Sequence, residues 1–236
     1  SVLIFTKSLT IDKLVASASL EVILFLVGMM IIVGALRDLG FFTWVVQTIV
    51  SIPNISGRKF IIITAVTSAL LACAVDEVTS IIFISTLVFQ VCNRLKLNPS
   101  PYISICVLST NVGSAGTMMG NPVGIYIGTQ AGLTFEDFIV WAFPVMLVSL
   151  ATTIWITMTW YRQEIKLFEQ RLHERMERDL SLVPKVKVPY RRGLALLAVT
   201  LLFIASHHQL EELLDLGKNS ILLVAPLACA GVVMIV

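Results

Sequence analysis

Long uncharged apolar runs alternate along this chain with short clusters of charge, and several runs have the length of a bilayer crossing, about 20 residues. Residues 16–36 form one, with Glu21 near its start. Residues 138–160 form the clearest: 23 uncharged residues with Trp141 and Trp160 near the ends, where an aromatic belt would place them. Residues 193–210 and 219–236 are two more. The charge-free stretch 97–135 has 39 residues, too many for one straight helix and suited to one broken crossing, with helix expected over 101–131. Residues 60–93 pose the opposite problem, because arms of about fifteen residues flank Asp76 and Glu77, each short of a span. Such arms predict a re-entrant hairpin, which is tolerated only where protein or a water-filled cavity surrounds it.

Two segments between the crossings read as surface helices. Residues 41–52 are apolar but only twelve in number and follow Arg37 and Asp38, which predicts a helix lying in the interface. From Tyr161 to Leu180, Ile165, Phe168, Leu172 and Met176 make one stripe at helical spacing, and Arg171, Glu174, Arg175, Glu177 and Arg178 fill the rest. A membrane-lying connector is the expectation there, ahead of a docking site for a partner. Pro184 and Pro189 mark the linker that completes the connector, residues 161–192.

Composition places the chain in a membrane: 57% of residues are hydrophobic and 14% charged, against roughly 25% charged in soluble domains. The net charge of +2 is too small to indicate a nucleic-acid partner. Its distribution is informative. With a hairpin at 60–93, 14 of the 17 Lys and Arg residues fall on one side, including the nine from Arg162 to Arg192, and that side is expected to be cytoplasmic. A single crossing there would give 13 against 4, so length and the buried acids, not charge, carry the hairpin. Cys73, Cys92, Cys106 and Cys229 lie in or beside apolar runs without CxxC spacing, and read as packing residues. With no basic leader at Ser1 and no charged flank after Val236, the chain reads as a portion of a longer protein.

Asp76 and Glu77 carry the first chemical signal. A charge at membrane depth costs at least ~2.5–3.5 kcal/mol on insertion scales, so an acidic pair with no basic neighbour in sequence needs a cation or a proton. The alternative is a pair capping a helix at an aqueous edge. The second signal lies in the broken crossing, Ser109 to Gly124. Gly113 and Gly116 ease unusual backbone, while Asn121 and Pro122 suit the cap and first turn of a new helix. Unwound carbonyls could hold a cation there, and a restarted helix presents N–H groups to an anion. Gly116, Gly120, Gly124, Gly128 and Gly132 recur every fourth residue, a smooth ridge for close helix packing wherever the chain is helical.

The tip Asp76-Glu-Val-Thr-Ser80, followed by Thr110-Asn-Val-Gly-Ser-Ala-Gly-Thr-Met-Met-Gly-Asn-Pro122, resembles one repeat of the ion transporter superfamily. The likeness is closest to the branch of arsenite permeases, D-type Na+/H+ antiporters and the melanosomal P protein, with the Na+-coupled dicarboxylate transporters more distant. It covers roughly residues 21–161, including the Leu-Val-Gly-Met-Met-Ile-Ile-Val-Gly core that precedes the hairpin. Glu77 stands where that family has Asn, and Val123-Gly124 where it has Pro-Asn. The resemblance implies an all-α polytopic membrane protein with an inverted-repeat elevator-type fold, working as a homodimer. Residues 1–160 would form most of the first repeat and 193–236 the start of the second, so half the site would lie outside this chain.

Secondary transport is the resulting expectation: Na+/H+ antiport or arsenite-type efflux, with Na+-coupled carboxylate symport as the alternative. Asp76, Thr79 and Asn111 would hold Na+ or exchange protons, with Glu77, Ser80 and Gly113 also in the ion and substrate site, while Ser114, Thr117 and the helix start at Asn121 would face the substrate. No cofactor is expected beyond Na+ or H+. The partners are the lipid bilayer and a small ion, and the residues leave an ATPase subunit open. A channel shares this carbonyl and hydroxyl chemistry. An intramembrane aspartyl hydrolase would need two acids on separate helices. A metal enzyme around His207, His208, Glu211 and Glu212 lacks a further ligand cluster, so these residues read as a polar helix end.

Overall fold

The computed structural model describes residues 20–50, 52, 56–176, 190–206, 210–211, 226–229 and 231. Every regular element among them is helical: α1 Leu20–Asp38, α2 Phe41–Val50, α3 Gly57–Ala74, α4 Glu77–Leu95, α5 Ser100–Ser114, α6 Pro122–Ala131, α7 Phe135–Trp160, α8 Arg162–Met176 and α9 Tyr190–Ala205. Of these, α3, α4 and α7 are each long and apolar enough to cross a membrane, and α1 with α2 would make a fourth span if the bent pair is one crossing. The protein is an all-α polytopic membrane protein. Residues 16–19, 177–189 and most of 207–236 lie outside the described residues, His207, His208 and Glu212 among them.

The chain turns by 59° between α1 and α2. Gly40, at φ 73°, makes the corner in the left-handed region where glycine is unstrained. Beyond it, Phe42 stacks on Phe83 of α4 at 3.9 Å and Trp44 stacks on Tyr190 of α9 at 4.6 Å. The segment expected in the interface is thus seated on two protein helices.

The hairpin consists of α3 and α4, packed on one another. Ser56 caps α3 by accepting from the Lys59 N–H, and Lys96 closes α4 in the left-handed region at φ 55°. The arms run to 18 and 19 residues, about 27–29 Å at 1.5 Å per residue. They exceed the fifteen expected because Arg58 and Lys59 belong to the first turn of α3, and Arg94 to the last turn of α4. The next crossing breaks between α5 and α6 over residues 115–121. A reciprocal Thr134–Asp137 capping box then starts α7. Pro144 has no N–H to donate, and just before it, at Phe138–Ala142, the helix widens so that the Phe143 N–H bonds to Phe138 O. Most of α7 is exposed, with Trp141, Val148, Trp155 and Trp160 outermost, as suits a lipid-facing helix.

The membrane-lying reading of the connector needs correction. In α8, Ile165, Phe168 and Leu172 are buried against protein. Phe168 stacks on Phe60 of α3 at 5.1 Å and lies 5.3 Å from the Tyr102 ring of α5. The Tyr102 hydroxyl donates to the Glu164 carbonyl at 2.8 Å. Gly57 makes room, since a Cβ there would come within 3.1 Å of the Phe168 ring. Protein, not lipid, covers Ile165, Phe168 and Leu172.

Candidate functional site

One face of α3 is built from small residues, Thr64, Ala65, Ser68, Ala69, Ala72 and Cys73, all buried. Small faces let helix backbones approach closely, and α5 lies directly against this one. A Cβ on Gly113 would come 2.4 Å from Ala69. The Ser68 and Thr110 hydroxyls bond to one another, and each also lies within donating distance of Cys106 O, at 3.2 and 2.8 Å. Nearer the tip, Cys73 Sγ donates to Gly113 O at 2.9 Å, and the Thr117 hydroxyl donates to Cys73 O at 2.6 Å. These bonds satisfy buried polar groups, where leaving them unmade is costly.

The hairpin tip joins the break through main chain. The Glu77 N–H donates to Gly120 O at 3.1 Å. Gly120 is tightly enclosed, because a Cβ there would sit 2.2 Å from Ser114 O. The Ser114 hydroxyl lies 3.2 Å from Glu77 Oε2 and 3.0 Å from Asn111 O, so its single proton can go to either. Asn121 Nδ2 donates to Ser114 O at 3.2 Å and to Ser114 Oγ at 3.1 Å. A polar chain therefore runs from Glu77 through Ser114 to Asn121.

Four helix termini meet here. Asp76 caps α4, its Oδ1 accepting from the Thr79 N–H at 2.7 Å, and Asn121 caps α6, its Oδ1 accepting from the Gly124 N–H at 2.7 Å. The two helices that start here bring positive dipole ends, while α3 and α5 end here and bring carbonyls. Such a place can accommodate an anion beside a cation.

Of the residues singled out in the sequence, Asp76, Glu77, Thr79 and Asn121 are half-buried at this junction, and Gly113, Ser114 and Thr117 are buried within it. Ser80 is fully buried one turn into α4, and its hydroxyl has no partner among the described residues. Asn111 stands apart: it is exposed, and its amide donates to Val107 O of its own helix at 3.0 Å. No hydrogen bond links its side chain to Asp76 or Thr79 among the described residues. The expected ridge of glycines is also confined, because Gly116 and Gly120 lie in the break and Gly132 ends α6 at φ 66°. Only Gly124 and Gly128 are helical, and Met118 folds back over Gly128, where a Cβ would lie 2.5 Å from its Cε. Sequence reasoning missed Ser68 and Thr64, although two small polar residues four apart on an apolar helix are themselves a signal of close packing. Among the described residues, no group of three His, Cys, Asp or Glu side chains converges as a metal site.

A family model described as a citrate transporter matches residues 1–235. The chain belongs to the citrate transporter family. With it the chain falls within the ion transporter superfamily, as the tip and loop motifs implied. Among its relatives is an uncharacterized transporter of Mycobacterium tuberculosis, 37% identical over 57% of this chain and 31% of the relative. The human P protein is 28% identical over 50% of this chain and 15% of that protein. The magnetosome protein MamN of Paramagnetospirillum magneticum is 24% identical over 58% of this chain and 32% of that protein. The matched region is thus about a third or less of each relative's length.

Proposed function

We propose that the full-length protein is a secondary active transporter that moves a carboxylate anion together with Na+ or H+, and that the junction of tip and break is one half of its binding site. The observation that carries this reading is the Glu77 N–H to Gly120 O bond at 3.1 Å. It holds the starts of α4 and α6 together, so two positive helix ends serve one anion. Asp76 and Glu77 beside them supply negative charge for the coupling cation. The family description points the same way, since citrate is a carboxylate. An elevator-type homodimer with the basic loops and residues 161–192 in the cytoplasm is the assembly this reading carries. A second reading, Na+/H+ antiport or arsenite-type efflux, is favoured by the acidic pair, which suits a cation cycle without an organic anion.

Proteoliposomes containing the full-length protein separate the two. Uptake of labelled citrate or a dicarboxylate that depends on a Na+ or proton gradient supports symport. Collapse of a preformed proton gradient by Na+ or Li+, without carboxylate uptake, replaces it with antiport. Gradient-driven arsenite flux without either assigns the protein to efflux.

A further inference from the structure

Away from the junction, α3 begins, α7 ends and α8 begins around a cleft of about 380 Å³. Its inner surface is apolar, formed by Met158 and the buried Ile165, with Trp155 as a wall. Arg58, Arg162 and Lys166 surround it, and no acidic side chain lines it. Among the described residues none of the three cations is in an ion pair. The cleft is continuous with a strongly apolar surface: Trp155 is 70% exposed, and Val148 and Ile156 on the same helix are exposed as well.

Two features call for one ligand. Three cations outside any ion pair among the described residues match a phosphate: Arg58 and Arg162 stand on the first turns of their helices, where the dipole adds positive potential, and Lys166 one turn further on. A soluble anion would satisfy them but leave Trp155 and Met158 wet, whereas an amphiphile meets both needs, and basic pockets at the ends of membrane helices hold acidic headgroups by this chemistry. Lys166 and Arg162 lie just beyond the end of α7, and Trp155 about 7–8 Å along the helix from Trp160, so a headgroup and its chain would lie in register with the span. We infer that this cleft binds the phosphate headgroup of an anionic phospholipid, with an acyl chain along α7 past Trp155. This site is independent of the transport reading.

Native mass spectrometry of the delipidated full-length protein tests it, with phosphatidylglycerol and phosphatidylcholine supplied at equal concentration. One phosphatidylglycerol should be retained at least tenfold better than phosphatidylcholine. Arg162→Gln and Lys166→Gln should each weaken retention about fivefold, and Lys166→Arg should restore it. Arg171→Gln, on the exposed side of α8 beside Glu174, should change nothing. All three positions are exposed, and thermal melts would confirm that the variants fold. Equal retention of the two lipids, or the same loss with Arg171→Gln, overturns the proposal. Displacement of the lipid by millimolar inorganic phosphate assigns the cleft to a soluble anion and overturns the lipid. Retention of phosphatidylglycerol that survives the Arg162→Gln/Lys166→Gln double variant places the lipid elsewhere and also overturns it.

Discussion

Gly113 of α5 and Ala69 of α3 meet backbone to backbone: a Cβ on Gly113 would lie 2.4 Å from both the Ala69 Cα and its carbonyl oxygen. Neither atom is the end of a flexible side chain, so Gly113→Ala must push the helices apart. Overpacking of this kind costs about 1–3 kcal/mol, and the melting temperature of the full-length protein in detergent should fall. Gly34→Ala on α1, whose added Cβ meets nothing within 4 Å, should leave it unchanged or raise it through helix propensity. Equal behaviour of the two variants would remove the close crossing from the account.

Asp76 has two separable roles, as a helix cap and as a charge. Asn caps a helix about as well as Asp, so Asp76→Asn should fold with stability near wild type while gradient-driven flux is lost. Asp76→Ala also gives up the bond to the Thr79 N–H and should cost about 1 kcal/mol in addition. Full flux in Asp76→Asn proteoliposomes would show that the charge is dispensable.

The seat of α8 predicts a hierarchy of stabilities. Phe168→Ala empties a fully buried site between Phe60 and Tyr102 and should destabilise by about 3–5 kcal/mol. Tyr102→Phe keeps the ring and loses only the bond to Glu164 O, about 0.5–1.5 kcal/mol. Because the two rings touch, the double variant Phe168→Ala/Tyr102→Phe should depart from additivity in thermal melts. Strict additivity would argue that α8 does not dock as described.

Cys73 offers a probe of the junction itself. It is buried, as are Cys92 and Cys106, and it is bonded to Gly113 O. N-ethylmaleimide should leave all three unmodified in the folded protein and modify them after denaturation. Peptide mapping by mass spectrometry reads the outcome. Rapid modification of Cys73 alone would mean that tip and break separate in the resting protein.

The break was legible because its chemistry is local: Gly113 and Gly116 loosen one helix, and Asn121-Pro122 starts the next. The cap made by Asp76 was legible for the same reason. What sequence could not supply was the pairing of distant atoms, such as Glu77 N–H with Gly120 O, which depends on how α3 and α5 cross. Periodic reasoning also failed where the period lapsed. Five glycines at four-residue spacing suggest a ridge, yet residues 115–121 are not helical, so Gly116 and Gly120 leave the row. For α8, the spacing identified Ile165, Phe168 and Leu172 as a buried stripe, but the same stripe serves lipid or protein. Gly57, which clears the space for Phe168, belongs to an element more than a hundred residues earlier.

The attachment of α8 to the base of the hairpin has a mechanical consequence. Phe168 is clasped by side chains from α3 and α5, the elements that carry the tip and the break toward each other. Any displacement of that pair would drag α8 along like a handle. A fluorophore on its exposed side, at Arg171 or Glu174, would then report any such displacement without touching the tip or the break.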